Sequence, residues 1–388
     1  MRLTETQRNL VEAPLDQRLF IEGPANSGKT SVGVERLLYL MQEGIPADNI
    51  LLILPQRTLA GPYQAALQHP GVVSGGIVSL ITIGGLARRM VDLFWPYVSR
   101  AGGFHNPQKL PVFLTLETAQ YYMARIAGSL FAEGLFSTVP LERNRLYSQI
   151  LDNLNKAAVV GFPYTEISAR LKGAWQGDPA QLRVYEDVQT CAAKFREYCL
   201  ENNLLDFSLQ IELLRDQLWP LEEFRQYLFG RYKHLLADNI EEDVPLTHDI
   251  LLEWLPQASS ACLIYDQGAG FRSFLGADAE SAYRLKAACD QTAELAEPWQ
   301  VNPGIETLRE ALHHTIQRPL LSLNGQTPPP NILETAGESE KAYTRLAVSY
   351  SYERYYPQML DWVAGQVAYE VNENLVPPGE IVVLAPFL

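Results

Sequence analysis

Apolar positions along the chain fall into two kinds of run. Short apolar runs closed by turn residues read as strands, and the continuous one over 49–55 as a strand buried on both faces. They are Leu19-Phe-Ile21, Asn49-Ile-Leu-Leu-Ile-Leu-Pro55, Ile77-Val-Ser-Leu-Ile-Thr82, Arg231-Tyr-Lys-His-Leu-Leu-Ala-Asp238 and Ala261-Cys-Leu-Ile-Tyr-Asp266. Apolar residues at helical spacing lie between them: Val32, Val34, Leu37, Leu38 and Leu40, then Leu86 to Val98, then Pro245 to Leu255. Strands alternating with helices in this order predict an α/β fold with a parallel sheet.

From about Phe104 to Leu221 the periodicity is helical, over 112–136, 145–160 and 181–200, with Pro and Gly clusters between the segments. This stretch reads as a helical insertion between strands. Tyr121, Tyr122, Tyr147, Tyr185 and Tyr198 lie on these helices. Packing between helices is the preferred reading of that aromatic stripe, and stacking on bases is the other. Residues 324–331 (Asn-Gly-Gln-Thr-Pro-Pro-Pro-Asn) form the clearest linker, followed by a helix near 357–374 and a strand at Glu380-Ile-Val-Val-Leu384. The chain stops at Leu388, just after a strand expected to be buried, so an incomplete domain of a longer protein is expected.

The first strand breaks into Gly23-Pro-Ala-Asn-Ser-Gly28-Lys29-Thr30, the spacing of a phosphate-binding loop between a strand and a helix. Gly23 and Gly28 admit backbone angles and close approach that a side chain blocks. Gly23, Pro24, Ala25, Asn26, Ser27, Gly28, Lys29, Thr30 and Ser31 are therefore the candidate nucleotide-binding residues. Backbone N–H groups and the helix N-terminus converge there on an anion. Lys29 would reach the β- and γ-phosphates of ATP, and the Thr30 hydroxyl would hold Mg²⁺. Upstream, Thr4 and Gln7 have the spacing of a capping box. The Gln7 amide either closes that helix or offers a donor and an acceptor to an adenine edge. Asp238 and Asp266 each end an apolar run, a position suited to Mg²⁺ and water but also common at turns.

Composition narrows the classes. Hydrophobic residues make up 47% of 388 and charged residues 20%, which excludes a disordered chain. No apolar run reaches membrane-spanning length, and the N-terminus lacks a signal peptide's layout. Cys191, Cys199, Cys262 and Cys289 show neither C-x-x-C spacing nor histidine partners, so buried thiols in a reducing cytoplasm are expected. The net charge is −14, but residues 1–125 carry 11 Lys/Arg against 9 Asp/Glu, or +2, which leaves −16 for the rest. A nucleic-acid path, if present, is then a local groove in the N-terminal third.

The motifs, in their order, resemble the superfamily 1 helicases of the UvrD/Rep class and their relatives in RecBCD- and AddAB-type nucleases. "LTETQRNLVEAP" is similar to the Q motif, "GPANSGKT" to motif I, "ILLILPQRTLA" to motif Ia and "SLITIGGLARRMV" to motif Ib. "LLDFSLQIELL" resembles the segment before motif II, "YKHLLADNIEEDVP" falls at motif II, "CLIYDQGAGFRSFLGAD" at motif III, and "EIVVLAP" at the strand entering motif IV. The resemblance implies a RecA-like domain 1A (1–100 and 204–300), a helical domain 1B (101–203), and the start of a second RecA-like domain 2A (301–388). It implies ATP and Mg²⁺ as cofactors, with Gln7 on adenine and Thr30 and Asp238 on the metal. Single-stranded DNA or DNA ends would cross 1A near Arg57, Thr58 and Thr82, with a nuclease or helicase subunit as a possible partner and no membrane.

Departures from the family pattern shape the expected activity. Asn239 stands where the family has its water-activating Glu, Ala269 where it has a γ-phosphate-sensing Gln, Leu275 at an Arg position and Gly84 at a frequent His. General-base help is worth on the order of 10²–10⁴-fold, and an amide cannot supply it. Glu241 and Glu242 follow closely and are the candidate catalytic stand-ins beside Asp238. The expected protein is a helicase-fold ATP- and DNA-binding component of DNA repair or recombination, with hydrolysis not expected. The other reading is an active ATP-dependent helicase or translocase whose remaining motifs lie beyond residue 388.

Overall fold

The computed structural model describes residues 3–72, 75–137, 142–296, 303–316 and 349–384. The chain divides into two compact units, Met1–Trp299 and Gln300–Leu388.

The first unit is built on a six-stranded sheet: β1 (Arg18–Gly23), β2 (Ile50–Ile53), β3 (Ser79–Ile81), β6 (His234–Ala237), β7 (Ser260–Asp266) and β8 (Gln291–Glu294), in the order β3-β2-β6-β7-β1-β8. Every pairing is parallel. Residues alternate between two cores, as the period of two along a strand requires. Phe20, Leu51, Ile53, Leu235, Ala237 and Leu263 face one, while Leu19, Ile21, Ile50, Leu52, Leu236 and Ile264 face the other. The five apolar runs lack a polar alternation for this reason. β8 was not expected: its Gln291-Thr-Ala-Glu294 is mostly exposed, and it is held by pairing with β1 alone.

The second core is covered by α1 (Glu5–Val11), α2 (Lys29–Gln42) and α3 (Gly61–Leu67). The first is covered by α4 (Ile83–Leu93), α10 (Phe207–Leu213), α12 (Pro245–Trp254) and the helical insertion. Within that insertion α6 (Leu116–Ala132), α7 (Arg143–Val160) and α9 (Ala180–Asn202) bury Met123, Ile150, Leu154 and Phe195. Tyr147 is buried against Phe131, and Tyr122 packs on Tyr198. Tyr121 is the exposed member of the aromatic stripe. Cys191, Cys199 and Cys262 are buried and Cys289 half-buried, all as free thiols. No described helix is long and apolar enough to cross a membrane.

Several boundaries differ from expectation. The helix expected over 86–98 is two: α4 ends at Leu93 and α5 spans Trp95–Ala101. Pro96 lies in the first turn of α5, and its missing N–H and ring make it a helix starter, not an interior residue. The strand expected over 77–82 pairs only at Ser79–Ile81, and Ile77 is exposed. Val112–Phe113, expected to be helical, forms β4 beside β5 (Leu204–Leu205). The strand expected at 380–384 is absent: Pro378–Glu380 is a short 3-10 turn, and Val382, Val383 and Leu384 are exposed. An apolar run becomes a strand only with a neighbour to accept its ladder, and 381–384 has none among the described residues. The linker at 324–331 lies outside the described residues.

A buried ionic cluster joins the insertion to α10. Arg196 of α9 donates to Asp206 at 3.1 Å, to Ser208 at 2.9 Å and to Glu212 at 2.9 Å. Asp206 also caps α10, accepting from the N–H groups of Ser208 and Leu209. Arg196 is 3% exposed and Asp206 2%. Removing one partner strands a buried charge, so Arg196→Ala is expected to cost about 3–5 kcal/mol of stability. The urea midpoint of the variant against the parent checks this.

Candidate functional site

β1 ends at Gly23, and α2 begins at Lys29 behind the turn 24–28. A Cβ on Gly23 would collide with the carbonyl oxygen of Leu295. Gly28 holds φ 83° as the N-cap of α2, a left-handed angle that glycine adopts without penalty. Pro24, Ala25 and Asn26 form the outer part of the turn, Ser27 is buried, and Thr30 and Ser31 lie half-buried in the first turn of α2.

The turn closes on its own lysine. Lys29 is 4% exposed; its Nζ donates to the Pro24 carbonyl at 2.5 Å and to Ser27 Oγ at 3.1 Å. It also pairs with Asp266, which the sheet register sets directly opposite Gly23. Gln7 is buried at the back. Its Oε1 accepts from the Thr4 N–H at 3.0 Å, completing the capping box, while Nε2 donates to the Ser27 carbonyl at 3.2 Å. One amide thus ties α1 to the turn, and both of its ends are taken.

Asp238 follows β6 and is 2% exposed. Its carboxylate accepts from Tyr63 Oη at 2.9 Å and from the Asn239 N–H at 2.9 Å, and the Thr30 hydroxyl lies near enough to favour its charged form. Burial raises its pKa to about 6 against the pull of these three donors, and the charge of Asp266 adds to the rise. Thr30 and Asp238, the expected metal pair, therefore lie near each other. A hydroxyl and a carboxylate are oxygen ligands of the kind Mg²⁺ takes, with phosphate and water supplying the rest. Among the described residues no group of three or more His, Cys, Asp or Glu is arranged to hold a metal ion. The residues present fit Mg²⁺ only as a shared site of this kind.

Asn239 occupies the left-handed region at φ 57°, where asparagine is tolerated. The next two carboxylates diverge. Glu241 is fully buried; its Oε2 accepts from the Asp266 N–H at 2.9 Å, and Asn239 Nδ2 lies 3.4 Å from its Oε1. Burial raises its pKa to about 7. Glu242 turns away instead: its oxygens accept from the N–H groups of Gly270, Phe271 and Arg272, each at 2.9 Å. Its carboxylate, expected as a catalytic stand-in, is engaged in pinning the loop after β7. That loop presents Phe271 and Phe274 to solvent, 78% and 66% exposed. His248, buried in α12, donates from Nε2 to the Ile240 carbonyl at 2.9 Å, which leaves Nδ1 to accept from Ser281.

A groove of about 650 Å³ opens beside the ends of β2 and β3, lined by Arg57, Gln64, Thr82, Arg88, Arg89 and Phe113 among others. The Arg88 guanidinium lies 4.7 Å from the centre of the Phe113 ring. Arg89 donates to Ser79 Oγ at 3.3 Å and to Tyr232 Oη at 3.1 Å. Thr82 caps α4, accepting from the Gly85 N–H at 3.1 Å. Thr58 is exposed but is not among the walls. Gly84 packs against Phe207, and a Cβ there would lie 2.6 Å from the ring. Tyr63 and Gln64 carried no sequence signal, lying in an unpatterned stretch, and Phe113 lay in one read only as helical.

No protein-family model matches the chain, and no curated protein matches it.

Glu241 makes stability depend on pH with a definite sign. Its folded pKa is raised, so its contribution is fully present below the unfolded value near 4.5 and is lost as pH rises toward about 7. Glu241→Gln removes that loss. Its stability relative to the parent is expected to grow by about 2–3 kcal/mol between pH 4 and pH 8, read from urea unfolding at the two pH values.

Proposed function

We propose that the chain binds Mg·ATP and single-stranded DNA as a helicase-fold component of DNA repair or recombination, built on a RecA-like P-loop core of the superfamily 1 kind. In this reading 1–100 and 204–300 form domain 1A, 101–203 forms 1B and 301–388 begins 2A. The observation that carries it is the convergence of Lys29, Thr30 and Asp238 at the ends of adjoining parallel strands. Ligands of open α/β sheets bind at that edge.

The N–H groups of 23–30 and the Lys29 ammonium would receive the phosphates, and Thr30 and Asp238 would hold the metal. Magnesium, when bound, neutralises charge on the phosphate oxygens. Lys29 must first leave Asp266. Gln7 supports the turn from behind by its bond to Ser27, and a contact with adenine would require that bond or the cap to open. Asn239 cannot accept a proton from water, so hydrolysis is slow, and nucleotide serves to set the protein's conformation. Arg57 and Arg88 would meet DNA phosphates along the groove, with Phe113 as an apolar wall. Phe271 and Phe274 offer exposed rings for base stacking.

An active translocase is the second reading, and Glu241 favours it. A carboxylate with a pKa near 7 beside the strand ends is matched to accepting a proton at neutral pH. Turnover stimulated by single-stranded DNA and lost in Glu241→Gln would support that alternative.

Lys29→Ala is expected to abolish binding of a fluorescent ATP analogue, measured by titration in magnesium buffer. Equal affinity of the variant and the parent would remove Lys29 from the site. Binding of oligo-dT is expected to weaken steeply with salt, and Arg57→Ala to reduce the slope of log K against log salt by about 0.7. A salt-insensitive complex would exclude the groove.

A further inference from the structure

We infer that Tyr63 is a positioning residue that couples the nucleotide site to the groove, so that occupancy of one is felt at the other. The inference rests on the nucleotide and single-strand reading above. Residues 57–67 run as one continuous piece, a 3-10 turn (Arg57–Ala60) leading directly into α3. Arg57, Ala60 and Gln64 of this piece line the groove. Tyr63, next to Gln64 in sequence and about 100° round the helix from it, is not among the groove's walls and is fully buried. Its hydroxyl ends on Asp238, the carboxylate assigned to the metal.

A purely packing role would be met by phenylalanine. A buried tyrosine hydroxyl needs a partner, and here the surroundings are shaped to admit it. Gly33 of α2 faces that hydroxyl, and a Cβ at Gly33 would collide with it. Burial keeps the phenol protonated, so Tyr63 is the donor and Asp238 the acceptor. Three pieces meet at this hydroxyl: the helix that follows the glycine turn, the carboxyl end of β6, and the segment that forms one wall of the groove.

Asp238 already accepts from Tyr63 and the Asn239 N–H, with the Thr30 hydroxyl close by. If Thr30 and Asp238 held a hydrated metal, those bonds would be redistributed, and the one reaching α3 belongs to Tyr63. The segment would therefore gain a second arrangement, with the hydroxyl on a carboxylate turned to the metal instead of the unliganded one seen here. Ligands at either end bias the same equilibrium, and the bias is reciprocal.

The test is the dissociation constant of a fluorescent oligo-dT, measured with and without saturating magnesium and a non-hydrolysable ATP analogue. The parent protein is expected to show a ratio of at least about fivefold between the two conditions. Tyr63→Phe, which keeps the ring and removes the hydroxyl, is expected to bring that ratio to within about twofold of one. Gly33→Ala, which pushes the hydroxyl from the other side, is expected to do the same. A role in packing alone would shift both constants together and leave the ratio intact. An unchanged ratio in Tyr63→Phe, or a parent that binds both probes with a ratio of one, overturns the coupling and leaves the binding assignments standing. A parent that binds neither probe overturns both.

Discussion

A parallel sheet sends the carboxyl end of every strand to one edge, and the polar groups of the candidate site hang from that edge. Gly23 and Asp266 sit opposite each other in the register of β1 and β7, and Asp238 follows the last residue of β6. Because these strands are buried on both faces, a one-residue slip would carry each strand's side chains into the wrong core. Hydrophobic burial therefore fixes the positions of the polar groups at the strand ends, although none of them contributes to that burial.

The chemistry at the edge is dominated by low dielectric. Asp238 and Glu241 both have raised pKa values because burial disfavours their charged forms. Asp266 stands between them electrostatically, since its negative charge acts on both. Lys29 is the cation that pairs with it. Three carboxylates and one ammonium in a space with little water form an arrangement that gains from added positive charge. This suits the proposed metal, and it also explains why Tyr63, Thr30 and backbone N–H groups are drawn into the cluster as donors.

Much of the sheet was legible in the sequence because two-sided burial leaves an unmistakable apolar run. The turn at 23–28 was legible because glycine supplies both a left-handed residue and a close approach to the backbone of Leu295. Thr4 and Gln7 announced their capping box by spacing alone. The rest depended on contacts between distant segments. Nothing in the string Glu241-Glu242 says that one carboxylate turns to β7 and the other to the loop after it. Tyr63 lies in a short helix opened by Gly61 and Pro62, where periodicity carries no information. The groove collects residues from 57, 82, 88 and 113, and no local pattern spans such a distance. At 380–384 the apolar run was present, but pairing is a property of two segments and not of one.

The contact between Lys29 and Asp266 bears on which anions the turn will accept. A lone sulfate or inorganic phosphate arriving there competes with a carboxylate already seated on the ammonium, and it offers few other contacts in return. A polyphosphate chain of the proposed kind would reach further, meeting backbone N–H groups along the turn as it displaced the carboxylate. On the proposed reading, the internal ion pair would set a threshold against small anions, by their size and valence.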